Sequence, residues 1–377
     1  MRNGSRKRLY LHLGMHKTGT TSLQYFMKSH EQWLSEKGIL YPRSGRGPGS
    51  FPQHVAGSLA LMTEEERLGT THGDKAFDGL DYAKIVADLK DEIAVSTCPC
   101  AVLSSEIFSV MRHDSIERFG AAFSEFDVVP VLFVRNFPDY IDAIYQLLSI
   151  TYRTSWSIEK CLSVYEGAFS LASRAEAWAA VAFDKRIRVI NFDGIRERGV
   201  VDTFMREIGA PIGELLLNGK EERLLVSAPA YLVAIARALR QQGRKEEEID
   251  KVLQGFSRLA VAEPQTNLPA DIRHELKQKY LEQLALLRAS RSVVGLEVND
   301  RSEAVLAAID NKVLVDDLAG AVMAISRALA AQNVKATARS SPETRAETLG
   351  SALRGRLSAV ASRLRSLRQV LSATGQR

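Results

Sequence analysis

Apolar positions in the first part of the chain form short runs separated by longer amphipathic stretches. Leu9–Leu13 reads as a strand, with His12 set between Leu11 and Leu13. Gly14–Gly19 interrupts it as a loop. Thr20 to about Lys37 then predicts a helix, with Leu23, Phe26, Met27, Trp33 and Leu34 near helical spacing and Gly38 as its stop. Ile39–Tyr41 is a second short strand closed by Pro42, and Arg43–Gln53, rich in Gly, Pro and Ser, reads as a flexible loop. Asp81–Val95 places Ile85, Val86, Leu89 and Ile93 on one helical face, and Ala101–Ser104 forms a third strand. Val128–Val134 is almost wholly apolar, as a strand buried on both faces requires. Helices from about Pro138 and over Ile158–Phe183, a strand at Ile187–Phe192 and a helix at Val200–Ile208 follow. Such alternation predicts an α/β fold: a parallel sheet with helices on both faces, in three layers, binding ligands at the carboxyl ends of its strands.

After Pro211 the strand pattern stops, and residues 225–295 read as helices, among them Tyr231–Gln242 and Ala270–Leu287. The predicted organisation is a domain over 8–300, made of a core at 8–210 and a helical part at 220–300. A helical extension at 301–334, a polar linker at 335–347 and a basic amphipathic helix at 348–377 follow. In that last helix Leu349, Leu353, Leu357, Val360, Leu364, Leu367 and Leu371 form a stripe surrounded by arginines. It suits self-association, an anionic membrane surface or a solvated tail.

Composition narrows the class only modestly. Of 377 residues, 45% are hydrophobic and 25% charged, an ordinary globular balance. No apolar run reaches the roughly eighteen residues a membrane span needs, and no secretory leader is visible. Cys98, Cys100 and Cys161 make neither a disulfide framework nor a metal site, which points to a reducing, cytoplasmic setting. The net charge of +5 suits a small anion or an anionic surface but does not imply nucleic acid.

The chemistry begins at Gly14-Met-His-Lys-Thr-Gly-Thr-Thr21, between a strand and a helix. Gly14 and Gly19 let backbone wrap an anion, N–H groups at the helix start point inward, Thr18, Thr20 and Thr21 offer hydroxyls, and Lys17 adds charge. The spacing is that of a nucleotide-triphosphate loop, but Thr20 stands where that loop has its lysine, and Lys17 lies inside instead. No apolar strand ends in a convincing magnesium-binding Asp, so a metal-dependent nucleotide kinase is the weaker alternative. A non-catalytic nucleotide-binding scaffold is another. Leu11–Gln24 resembles the 5′-phosphosulfate loop of PAPS-dependent sulfotransferases, especially bacterial ones. That resemblance implies a P-loop NTPase-like topology, PAPS as donor, PAP as product and no metal. It also implies a hydroxyl acceptor, with carbohydrate or glycolipid the suggested class. His16, Lys17, Thr18, Gly19, Thr20 and Thr21 become the donor-binding residues. Phe133–Tyr145 resembles the family's 3′-phosphate motif, with Arg135 at the strand end and Ala143 where a serine is expected.

Sulfuryl transfer needs a base for the acceptor proton and a cation for the leaving oxygen. Lys17 fills the second role. Glu106, in Leu103-Ser-Ser-Glu-Ile-Phe108 just past the third strand, is one candidate base, with Ile107 and Phe108 placed to raise its pKa; its alternative is a turn cap or ion-pair partner. His54 is the other, or else an ordinary loop histidine. His16 is expected to shape the loop or approach substrate.

Overall fold

The computed structural model describes residues 6–47, 52–71, 75–195, 198–213, 230–256, 265–296 and 313–314. In chain order these give β1 (Arg8–Gly14), α1 (Thr20–Ser29), α2 (Glu31–Glu36), β2 (Ile39–Leu40), α3 (Val55–Leu59), α4 (Glu64–Thr71), α5 (Tyr82–Val95) and β3 (Cys100–Ser104). Next come α6 (His113–Ala122), β4 (Asp127–Val134), α7 (Phe137–Ile150), α8 (Ile158–Tyr165), α9 (Leu171–Val181), β5 (Ile187–Asn191) and α10 (Val200–Glu207). The remainder supplies α11 (Ala230–Gln241), α12 (Glu246–Phe256), β6 (Gln265–Thr266), α13 (Ala270–Ala289), β7 (Val293–Val294) and β8 (Val313–Leu314).

Six strands pair in the order β2-β3-β1-β4-β5-β7, all parallel. This is the expected α/β sheet with P-loop-like topology, β1 lying between β3 and β4. The period-2 side-chain alternation of a strand builds both faces at once. Leu9, Leu11, Leu13, Ala101, Leu103, Val128, Leu132, Val134, Ile187 and Val189 pack with α3, α5, α6, α7 and α9. Tyr10, Val102, Val129, Val131, Phe133 and Ile190 pack with α1, α2 and α10.

Pro130 sits inside central strand β4, where a missing N–H would ordinarily break a ladder. Here β4 pairs with β5 only from Val131 onward. Two residues before Pro130, the Val128 carbonyl is already taken by Phe183 N–H at 3.1 Å. The proline therefore falls just ahead of the β5 ladder, which loses nothing.

The sequence pattern overruns the observed helices at two places. The predicted helix from Thr20 to Lys37 breaks at His30, whose backbone leaves the helical region at φ −118°, ψ 27°. Its ring stacks on Phe26 at 4.4 Å, and Nδ1 lies 2.8 Å from the Phe26 carbonyl oxygen, which also accepts the His30 backbone N–H at 3.0 Å. The predicted helix over Ile158–Phe183 divides into α8 and α9 around a 3-10 turn, Glu166–Phe169. Arg174, buried in α9, donates Nη2–H to Gly167 O at 2.7 Å and so satisfies a carbonyl exposed by the break.

Strands do not end at Pro211. Val293–Val294 returns to pair with Ile187 and Arg188, and Val313–Leu314 pairs with Gln265–Thr266. Each is two residues long, too short for a period-2 signal to register. The rest of the expected helical extension 301–334, the linker 335–347 and the basic helix 348–377 lie outside the described residues. No described helix is long and apolar enough to cross a membrane.

Trp178 anchors the larger face. It is buried, lies edge-on to Phe108 and Phe119, and donates Nε1–H to Phe108 O at 3.2 Å. Truncating it opens a cavity and strands that carbonyl, so Trp178→Ala should cost about 3–5 kcal/mol in urea unfolding. A change within the ±0.5 kcal/mol typical of surface substitutions would show that this packing contributes little.

Candidate active site

Each site side chain comes from the turn that follows a strand. β1 ends at Gly14 and leads into the loop, β3 ends at Ser104 two residues before Glu106, and β4 ends at Val134 one residue before Arg135. Adjacent parallel strands bring these turns together.

The loop is held closed from within. Met15 N–H donates to Phe133 O of β4 at 3.2 Å, and Thr18 donates through both N–H and Oγ1 to Met15 O at 3.3 and 2.7 Å. The Thr18 hydroxyl is thereby spent on the loop's own turn. Lys17 and Gly19 both lie in the left-handed region, at φ 65° and 76°. For Gly19 that conformation is free, but for Lys17 it costs on the order of 1–3 kcal/mol, which surrounding contacts must offset. One is visible: Arg135 Nη1–H donates to Lys17 O at 2.8 Å. Gly19 gives α1 no side-chain cap, so the first N–H groups of the helix have no intrahelical acceptor and face the loop. Thr20 is buried behind them, and Thr21 is half-exposed.

Gly14 is a packing requirement. A Cβ there would lie 2.5 Å from Thr20 Oγ1 and 2.9 Å from His12 Cε1. His12 is buried between Phe133 and Phe204, with Nδ1 2.8 Å from Ser104 Oγ, which also accepts from Gln24 Nε2–H at 3.1 Å. Burial drives the His12 pKa down to about 3, so this ring is neutral.

Arg135 is fixed by a network the sequence did not disclose. Beside it, Asn136 caps α7 by accepting from Asp139 N–H at 2.8 Å, and donates its own N–H and Nδ2–H to Asp193 Oδ2 at 2.9 and 3.0 Å. Asn136-Phe-Pro-Asp139 is a readable helix-start signature, whereas Asp193, after β5, is brought in only by the sheet. The Arg135 guanidinium lies 5.5 Å from the Phe192 ring centroid and 3.9 Å from Asp139. Ala143 is buried in α7 and carries no hydroxyl toward any anion.

Glu106 belongs to this constellation. Its Oε2 lies 2.7 Å from His16 Nδ1, and it also hydrogen-bonds the Thr20 hydroxyl. Burial opposes its ionisation, but His16, Lys17 and Thr20 together win and hold its pKa below the usual carboxylate value. The expected upward shift from Ile107 and Phe108 is thus reversed, because three polar neighbours outweigh the apolar wall. Lys17 is half-buried, and burial followed by Arg135 lowers its pKa, against the attraction of Glu106. Among the described residues, no carboxylate forms an ion pair with it.

His54 lies elsewhere. It is buried, with Nε2–H donating to Pro42 O at 2.9 Å and Nδ1 accepting from Ser104 N–H at 3.1 Å. Its ring meets Tyr41 edge-on, and burial, then Arg46, drives its pKa down to about 3. Both nitrogens are engaged with backbone, so in this arrangement it stitches the segment after β2 to the end of β3.

No protein-family model matches the chain, and no curated protein matches it. Among solved structures it is similar to a sulfotransferase from Alicyclobacillus acidocaldarius, at 15% identity and TM-score 0.42, over 76% of this chain and 96% of that one. It is also similar to a sulfotransferase domain from the curacin biosynthetic pathway, at 13% identity and TM-score 0.35, over 76% of this chain and 99% of that one. Both likenesses are distant.

The geometry at Gly14 has a direct test. Gly14→Ala forces Thr20 and His12 to move and should cost about 1–3 kcal/mol in urea unfolding, the range for overpacking a filled site. An unchanged midpoint would mean the loop has room that the contacts deny.

Proposed function

We propose that this chain is a sulfotransferase that moves a sulfuryl group from PAPS to a hydroxyl and releases PAP. The observation that carries the reading is the placement of Lys17: in a strand–loop–helix turn, in a left-handed conformation held by Arg135, and ion-paired to no described carboxylate. A lysine inside the loop lies beside the phosphate that bears the leaving oxygen. In a nucleotide kinase the loop's lysine instead follows the second glycine, a position held here by Thr20.

In this reading the loop's N–H groups, including those of Thr20 and Thr21 at the helix start, receive the 5′-phosphosulfate, while the buried Thr20 hydroxyl turns to Glu106. Gly19 lets the backbone approach, and His16 and Thr18 keep the loop's shape. Arg135 supplies charge for the 3′-phosphate while holding the loop; Ala143 adds no hydroxyl, so the arginine and nearby backbone carry that subsite. Lys17 stabilises the charge that develops on the leaving oxygen, and protein cations take the place a metal has in phosphoryl transfer. Of the two candidate bases, Glu106 stands in the constellation with Lys17, and His54 stands behind it. The loop's resemblance favours a carbohydrate or glycolipid hydroxyl as acceptor.

PAP should stabilise the folded protein without magnesium, by about 2.7 kcal/mol at a hundred times its dissociation constant, in a thermal-shift experiment. Stabilisation by ATP alone, and only with magnesium, would favour the kinase. Lys17→Ala should retain a cooperative fold but lose about a hundredfold or more in kcat for PAP release from PAPS. Full activity in that variant would remove the role given to Lys17.

A further inference from the structure

Glu106 is poorly suited to take a proton by itself. Its carboxylate already receives His16 Nδ1 and the Thr20 hydroxyl, and its ionised form is stabilised. A base so stabilised gains little on protonation. His54 has both nitrogens occupied, and His12 is buried beneath the loop. Of the other described histidines, His30 faces Phe26 O, His113 faces Ser173, and His274 is exposed on α13. His16 differs. Its side chain is 27% exposed and that of Glu106 is 23%, so the pair opens to solvent where an acceptor can arrive.

Resting on the sulfotransferase reading, we propose that His16 Nε2 accepts the acceptor's proton and that Glu106 is a positioning residue, orienting the ring through Nδ1–H. With Glu106 ionised, the short Nδ1 contact requires the proton on Nδ1, which leaves Nε2 with its lone pair. This is the logic by which a carboxylate fixes the tautomer of a catalytic imidazole and then balances the imidazolium. In the transfer step the acceptor oxygen forms a bond to sulfur while its proton passes to His16 Nε2. The bond from sulfur to the 5′-phosphate oxygen breaks, and its electron pair stays on that oxygen beside Lys17. The imidazolium later loses the proton to solvent.

The charged and titratable groups around His16 set the direction of the pH response. Glu106 faces it from the turn after β3 and Lys17 from its own loop; His12 on β1 and Tyr140 on α7 interact with Glu106, and Arg135 with Lys17. Burial lowers the His16 pKa and Lys17 adds to that, but Glu106 outweighs both, and the result lies above the ordinary histidine value. Activity should therefore rise with pH through this raised pKa, as the imidazole loses its proton and becomes a base. Removing the Glu106 charge leaves burial and Lys17 in control, so the limb moves to lower pH.

PAPS is the probe, with water standing in for the acceptor, and PAP release is followed against pH beside PAP binding. His16→Gln keeps a donor toward Glu106 but has no proton-accepting nitrogen. It should lose about a hundredfold or more in kcat with little change in PAP affinity, and the limb assigned to His16 should vanish. Glu106→Gln should shift the limb to lower pH, and Glu106→Asp should restore it. A His16→Gln enzyme that turns over at the wild-type rate assigns the proton to Glu106 and overturns the proposal. Should that variant misfold, imidazole nitrogen NMR on the wild-type protein decides: a proton on Nε2 and a bare Nδ1 above the titration point overturn it equally. A wild-type protein that neither binds PAP nor releases it from PAPS sinks the sulfotransferase reading itself, and the dyad with it.

Discussion

The hydrogen bond from Arg135 to the Lys17 carbonyl ties together two turns that are 118 residues apart in sequence. Lys17 occupies a backbone region that L-residues avoid, and that conformation fixes where its ammonium stands relative to the helix start. The donor that supports it comes from the end of β4, and it is steadied in turn by the shared partners of its neighbour Asn136. A chain of dependence thus runs from Asp193 after β5, through Asn136 and Arg135, to Lys17 on the loop after β1. Loosening any link would relax the loop lysine without touching it. In the proposed function, Arg135 is consequently a positioning group for the 5′ end of the site as well as a cation for the 3′ end.

The same economy holds beneath the loop. Gly14, Thr20 and His12 crowd one point, and Ser104 joins His12 and Gln24 from the adjoining strand. These groups are buried, and their hydrogen bonds run mainly among themselves. They form a polar floor that is rigid because each member limits the others. The residues that would meet ligand (His16, Lys17, Glu106, Arg135) stand above that floor, and His16 and Glu106 are partly open to solvent.

What could be read in advance was what is local. β1, the loop and α1 follow one another within a few residues, so periodicity and glycine placement disclose them together. β4 is legible because burial on both faces leaves an unbroken apolar run. The pairing of His16 with Glu106 is not local: ninety positions separate them, and only the neighbouring of β1 and β3 brings them within hydrogen-bond reach. His54 shows the converse. It has the right chemistry at a plausible distance along the chain, yet the backbone of Pro42 and Ser104 claims both its nitrogens. The breaks at His30 and Gly167 escaped for another reason. A histidine ring stacks back on its own helix at the first break and a buried arginine bonds a turn carbonyl at the second, side-chain contacts that hydrophobic spacing does not record.

The alternation within β1 has a consequence for how such a chain can drift. Leu9, Leu11 and Leu13 serve one face of the sheet while Tyr10 and His12 serve the other. Gaining or losing one residue there would exchange the two sets, driving leucines toward the polar floor and turning the Gly14–Gly19 loop out of phase with its supports. Insertions and deletions are therefore barred from the stretch that leads to the loop, where single substitutions must also respect the packing around Gly14. Between α5 and β3, by contrast, Ser96 lies at the opposite end of the sheet, where Lys7 ahead of β1 donates to its carbonyl. A change of length is thus most costly on the way into the chemistry, where strand phase and loop position are set together.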